Sequence, residues 1–323
     1  MLTVYELENG RLVPYEGIER LSAKSVWIDM LHPTPEEDAA VEHLVGISIP
    51  TRAEMREIEA SNRLYVDHGS YVMTAVLLHA SDSGTPQFSA VTFILTGKAL
   101  VTVRYVDLKA LPYFLQQVAN GDAECDTNVR ILIGLVEGLI HRMADLIERI
   151  QDEVNRIGSG AFEIKGGQQT RTRRLDVMLK SIGRMGETAS RTEETVTSLD
   201  RLLLFLTQAM KHRKDEARDI QQIKSVHRDI RSLTEQLRFL SGRLNFLLDA
   251  VLGMIANEQN QIIKLFSVMA VMLMPPTLVA SIYGMNFKHM PELDWFLGYP
   301  IALLLMVAAA LIPYFYFRRK NWL

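Results

Sequence analysis

Ten positions in the last quarter of the chain could do chemistry together. Counting back from Ser281 in steps of four and three gives Thr277, Met274, Ala270, Ser267, Ile263, Asn260, Ala256, Gly253 and Asp249. Such steps put all ten on one face of a helix. Apart from Ile263 and Met274, every member is small or polar. A lipid-facing stripe should be bulky and apolar, so this one belongs to a helix interface or to a water-filled path. The carboxylate of Asp249 and the amide of Asn260 tilt the balance toward the path. Their oxygens would line an axis if several copies of the helix surrounded it, so a conducting form needs a ring of subunits.

An enzyme reading has little to stand on. There is no His-Glu-x-x-His, and the Gly-rich stretch at 158–167, "GSGAFEIKGG", lacks the Gly-Lys-Ser/Thr ending of a P-loop, so it reads as a linker. The eight histidines (His32, His43, His68, His79, His141, His212, His227 and His289) are scattered, and a metal site needs several ligands converging. The one cysteine, Cys125, excludes an internal disulfide and a Cys-type zinc site, which suits a reducing compartment. The opening "MLTVYELENGRL" lacks a basic segment followed by an apolar core and is expected not to be a secretory signal.

Charge is uneven along the 323 residues. Residues 1–167 hold 14 Lys and Arg against 24 Asp and Glu, a net of −10; residues 168–260 come to +4 and residues 261–323 to +3. An acidic N-terminal part argues against nucleic acid, which wants a basic face. It is compatible with cations, and equally with simple solubility.

The elements that position the stripe are legible in outline. Runs rich in Val, Ile, Thr and aromatics at 26–30, 71–80, 88–95 and 99–105 predict strands, with "TGK" at 96–98 as a hairpin turn. "TPEEDAAVEHL" at 34–44 opens like a helix, and 107–118 is expected to be helical. Helical patterns follow over 127–157, about 168–213, and from 216 onward. In the last, Val226, Ile230, Leu233, Leu237, Leu240, Leu244, Leu247 and Val251 recur at steps of four and three, a coiled-coil-like seam. No strong stop separates that seam from the next apolar run. One helix is expected from about 216 to 283, near 100 Å at about 1.5 Å per residue. Antiparallel partner helices are expected to support it.

Two stretches without a charge, 265–283 and 295–317, are each long enough to cross a bilayer. They are joined by 284–294. Lys264 precedes the first, and Arg318, Arg319 and Lys320 follow the second, while the connecting loop holds only Lys288. The positive-inside rule then puts both termini in the cytoplasm and the loop outside. Pro275 and Pro276 fall inside the first span, where they predict a kink or a hinge.

At the end of the first span stands "YGMNF" (283–287), followed by "MPEL" (290–293). With two C-terminal spans, a large preceding part and a basic tail "RRKNWL" (318–323), this resembles the CorA family of divalent-cation channels. The resemblance is strongest over about 260–323. It implies an α+β protein: an N-terminal α/β cytoplasmic domain (1–126), a long antiparallel helical stalk (127–264) and a two-span membrane domain (265–323), assembled as a funnel-shaped homopentamer. It implies Mg2+ as the transported and regulatory ion, with Co2+ or Ni2+ as further cargo and no organic cofactor. Its partners would be itself, membrane lipid and divalent cations, with no nucleic acid, in a bacterial inner membrane. Gly284, Met285 and Asn286 would form the selectivity filter, whose neutral oxygens accept hydrogen bonds from the waters of an ion that dehydrates reluctantly. Thr277, Met274, Ile263, Asn260 and Asp249 would line the pore, with Ile263 and Met274 as apolar constrictions that gate by dewetting.

Two departures from the family pattern stand out. Its regulatory acid on the long helix falls at Ser225, leaving Asp219 and Asp229 nearby and Asp67 as the candidate on the sheet domain. Lys288 stands where some relatives have an acid, leaving Glu292 and Asp294 to draw cations. Two other readings are the zinc-transporting branch of the superfamily, against which "MPEL" speaks, and a membrane-anchored coiled-coil signalling protein. The latter would want an outer sensor domain, for which about 11 residues are too few.

Overall fold

A computed structural model describes residues 1–8, 10–57, 59–79, 87–162, 168–210, 217–286, 290–291, 295–320 and 322. The chain divides into two compact units, one of Met1–Phe162 with Lys180–Leu247, the other of Glu163–Leu179 with Leu248–Leu323.

The first unit holds a seven-stranded sheet in the order β2-β1-β3-β7-β6-β5-β4. Its strands are β1 (Leu2–Glu8), β2 (Arg11–Glu16), β3 (Ser25–Leu31), β4 (Leu64–Asp67), β5 (Ser70–His79), β6 (Gln87–Leu95) and β7 (Leu100–Arg104). Only β3 and β7 pair in parallel; the other neighbours are antiparallel. The expected hairpin of β6 and β7 is present, closed by Thr96, whose hydroxyl donates to the Ala99 carbonyl (2.8 Å). Strands β1, β2 and β4 were not foreseen. Leu2, Val4 and Tyr5 are buried, but Glu6 and Glu8 break the apolar run, and β2 is an edge strand that carries Pro14 and is largely exposed.

Strand alternation sets the two faces of the sheet. Ile28 and Met30 point into a core with Leu2, Val4, Val41 and Met55. Val41 comes from α1 (Pro35–Val45), which starts on a capping box: Thr34 Oγ1 accepts from the Glu37 N–H (3.3 Å), and Glu37 Oε2 accepts from the Thr34 N–H (3.0 Å). A short turn of helix, α2 (Ala60–Arg63), leads into β4. On the opposite face, Trp27 meets Phe114 of α3 (Ala110–Asn120) edge-on at 6.0 Å. Helix α4 (Asn128–Phe162) passes so close to Phe114 that a Cβ on Gly134 would lie 2.3 Å from the ring. This face also buries a polar chain. Trp27 Nε1 donates to Thr102 Oγ1 (3.1 Å), Thr102 Oγ1 donates to Asp29 Oδ1 (2.6 Å), and Arg104 grips the Asp29 carboxylate through Nε (3.0 Å) and Nη2 (2.8 Å).

Three long helices follow the sheet: α4, α5 (Gln168–Met210) and α6 (Ala217–Tyr283). Residues 158–160, expected to break α4, instead extend it to Phe162. Ser159 Oγ donates back to the Asn155 carbonyl (3.0 Å), and Gly158 packs toward Leu247. Tertiary contact outweighs the roughly 1 kcal/mol that each glycine costs in a helix. Residue numbers rise together along α4 and α6, as the pairs Glu137–Gln222, Gln151–Gln236 and Asn155–Arg243 record, so these two helices run parallel. Helix α5 lies along β5, where Ser198 Oγ accepts from the Val76 N–H (2.9 Å) and Phe205 meets Tyr71 edge-on. All seam residues of α6 are buried except Leu233, which is half-buried.

The second unit contains the apolar end of α6 and α7 (Gly298–Arg319). Both helices are long and apolar enough to span a bilayer, and little of either apolar window is covered by protein. Helix α7 begins three residues later than the expected span, after a turn in which the Gly298 N–H donates to the Trp295 carbonyl (2.9 Å). Val268 and Ala302 are the buried apolar side chains on these two spans. The rest of their surface is open, as Leu273, Met274, Leu304 and Ile312, each about two-thirds exposed or more, illustrate.

Candidate functional site

One continuous helix of 67 residues, α6, carries the whole stripe. Asp249 and Gly253 each lie two residues from the buried Val251 of the seam. Two residues turn a helix by about 200°, so stripe and seam occupy opposite faces. Burial follows this geometry as far as Glu258, where the seam is covered and Asp249, Gly253 and Ala256 are exposed; beyond it residues 259–267 are exposed on every face, Asn260 and Ile263 among them, and Met274 and Thr277 are exposed too. Ile263 and Met274 are 61% and 70% exposed, a costly disposition for large apolar groups in water. A face of small and polar residues with two open apolar positions is therefore left for other copies of the helix, for water, or for both.

Pro275 and Pro276 stand inside α6, which continues through them. Their missing N–H groups leave the carbonyls of Val271 and Met272 without helical donors. Thr277 Oγ1 donates to the Leu273 carbonyl (2.7 Å), which still leaves its lone pairs available on the stripe.

The helix ends at the Gly-Met-Asn triplet. The Gly284 N–H closes the last full turn on the Ala280 carbonyl (3.0 Å), and the Met285 N–H makes a tighter bond to Ile282 (3.2 Å). A Cβ at Gly284 would meet the Ala280 oxygen at 3.2 Å, a crowded contact, which gives a packing reason for glycine there. The final carbonyls of α6 carry the negative end of its dipole. Met285 and Asn286 follow directly and are exposed. Carbonyl oxygens and an amide oxygen thus gather where a cation is favoured over an anion. Glu292 and Asp294, expected to draw cations at the mouth, lie outside the described residues, as do Lys288 and His289.

The candidate regulatory acids sit apart from this end. Asp67 closes the β4–β5 turn, where its Oδ1 lies 2.7 Å from His68 Nδ1. Asp229 is exposed on α6. Ser225 lines a cavity of about 530 Å3 that also holds Glu137, Gln222, Arg130, Arg218 and Arg228. Arg130 there is held by Asp219 (3.0 Å) and Asp126 (2.8 Å), which removes Asp219 from the set of free carboxylates. Among the described residues, no three His, Cys, Asp or Glu side chains converge as a metal-holding group within one chain.

One pair escaped the sequence reading. Glu258 is 5% exposed. It accepts from Thr172 Oγ1 (2.8 Å) and pairs with Arg171 (3.2 Å) near the start of α5. The signal was available: Glu258 lies one heptad past Val251, a carboxylate on a seam otherwise apolar.

One chain thus joins a mixed sheet, three long helices and two helices apolar enough to cross a bilayer, with Gly284-Met285-Asn286 at the end of the first. The family model for CorA-like Mg2+ transporter proteins matches residues 22–319. The chain is 34% identical, over the full length of both proteins, to the magnesium transport protein CorA of Sodalis glossinidius and to that of Escherichia coli (strain K12). The CorA magnesium transporter of Methanocaldococcus jannaschii has a similar fold, with TM-score 0.76 at 17% identity, covering 100% of this chain and 99% of that one. The chain belongs to the CorA-like Mg2+ transporter family.

Proposed function

We propose that the protein is a homopentameric channel that carries Mg2+ into the cytoplasm across a bacterial inner membrane, with both termini cytoplasmic. The observation that carries this reading is the open stripe on α6, opposite the buried seam and ending at Gly284-Met285-Asn286. Five such helices around an axis would place Asp249, Asn260, Ile263, Met274 and Thr277 along one path. Membership in the family supplies the cargo.

Mg2+ holds its water shell tightly, so a mouth that strips the ion would stall it. A ring of Asn286 amides and Gly284 carbonyls offers neutral acceptors to the ion's own waters. Such a ring recognises the hydrated ion and binds it weakly enough to release it. Below it, Ile263 and Met274 are the apolar constrictions, closed by dewetting. Closure by cytoplasmic Mg2+ would draw on carboxylates from neighbouring copies, with Asp67 and Asp229 as this chain's candidates and Ser225 as its departure from the family pattern. Residues 1–126, 127–264 and 265–323 are the functional divisions of sensor, stalk and pore.

The test is flux of Mg2+ and, separately, of Zn2+ into proteoliposomes holding the full chain, with low Mg2+ on the cytoplasmic face. Mg2+ entry well above that of empty vesicles is expected. Zn2+ entry without Mg2+ entry would overturn the assignment.

A further inference from the structure

We propose that the cytoplasmic edge of the second unit is a binding surface for anionic lipid headgroups, built jointly by α5, α6 and the tail of α7. This rests on the reading of the two apolar helices as membrane spans.

Lys264, Arg318, Arg319 and Lys320 flank the spans, as insertion alone would require. Arg171, Arg173 and Arg174 flank no span; they belong to the start of α5, more than 80 residues away in sequence. The structure nonetheless gathers that segment into the same compact unit as the spans. The Glu258 pair holds it there: a carboxylate 5% exposed accepts from Thr172 and meets Arg171. Glu258 precedes Lys264 by six residues, about 9 Å along the helix. A headgroup layer is about 5–8 Å deep beside the hydrocarbon core, and long arginine stems would reach back across the remainder. Burying the Glu258 carboxylate against a half-exposed arginine is costly, and the best-attested use of such a charge is to fix register. Here it fixes two exposed arginines, Arg173 and Arg174, at the membrane surface.

The tail is tied to the same level. Trp322 stacks on Phe317 at 5.4 Å, and Lys264 Nζ lies 5.8 Å over the Trp322 ring. Lys320 Nζ lies 5.3 Å over Tyr316. Arg318, Arg319 and Lys320 are exposed. Amphipathic aromatics interleaved with cations suit the boundary between acyl chain and phosphate. Among the described residues of this unit, six exposed cations on three segments outnumber two exposed acids, Asp176 and Asp249. Charge complementarity therefore selects a phosphodiester headgroup with net negative charge over a zwitterionic one.

The experiment is native mass spectrometry of the detergent-purified full chain, offered equal phosphatidylglycerol and phosphatidylcholine. Retention is read without any ion flux, so failure of Mg2+ conduction leaves this result standing on its own. Wild type should retain phosphatidylglycerol in preference. Arg173→Gln with Arg174→Gln should reduce that preference by roughly fivefold per arginine. Glu258→Gln makes the chain more positive, so charge alone would raise the preference; loss of the anchor should lower it. Equal retention of both lipids by wild type overturns the surface. An unchanged preference in the double-arginine variant, or a rise in Glu258→Gln, removes α5 from it.

Discussion

Single residues carry the account's sharpest consequences. Ile263 is the clearest: a large apolar side chain, exposed within its own chain, on a stripe that is otherwise mostly small or polar. If it closes the path by excluding water, Ile263→Asn should wet the constriction. Mg2+ entry into proteoliposomes at high cytoplasmic Mg2+ should then rise severalfold over wild type. Asp29 makes a prediction about stability. It and Arg104 are both under 10% exposed, so Asp29→Ala leaves a buried guanidinium with only the exposed carboxylate of Asp107 (3.2 Å) as a charged partner. About 3–5 kcal/mol of stability should be lost, seen as a lower melting temperature of the detergent-solubilised chain. Glu258 was invisible to a reading that took the seam as ending at Val251. Asp29 was invisible because a strand of the type "VWIDM" hides a buried carboxylate until its partner, 75 residues away, is placed beside it.

At the scale of elements, the helices were more legible than the sheet. The seam and stripe of α6 follow from a 3.6-residue period, which needs no knowledge of the partner, and the helix runs to Tyr283 as the absence of a stop implied. Pro275 and Pro276 did not break it, consistent with tolerance of proline where neighbouring groups or water satisfy the freed carbonyls. Strands β1 and β2 were not legible. Their pairing is non-local for β1 with β3, and β2 buries none of its side chains, so local pattern carried little signal. The same region yields a pH prediction. Burial pushes the Tyr5 phenol, stacked on Trp27 at 4.2 Å, up to about 12, with Asp29's charge adding to the shift and Arg104's opposing it. The folded chain keeps this proton where the unfolded chain, with an ordinary phenol near 10, has lost it. Stability from Tyr5 is thus complete below pH 10 and lost as pH rises through about 12. The total is at most about 2–3 kcal/mol. Thermal unfolding in that window should show a shallower pH dependence for Tyr5→Phe than for wild type.

At the scale of the whole molecule, sequence carries the family and one chain carries half of the site. The Gly-Met-Asn triplet is only three residues, yet its place at the end of a 67-residue helix, between two spans, makes it specific. A ring of Asn286 amides would exist only in the proposed assembly, so neither the sequence nor a single chain displays it. The acidic N-terminal part and the basic start of α5 together suit a protein that gathers cations on one side and meets anionic headgroups at the membrane. The measurement that bears most directly on the central claim is Mg2+ flux through Asn286→Ala beside wild type in proteoliposomes, with the oligomer shown intact by size-exclusion chromatography. Loss of even ~1.4 kcal/mol of hydrogen bonding to the ion's waters is worth about tenfold, so flux should fall by that factor or more. Equal flux in the two would contradict an Asn286 filter.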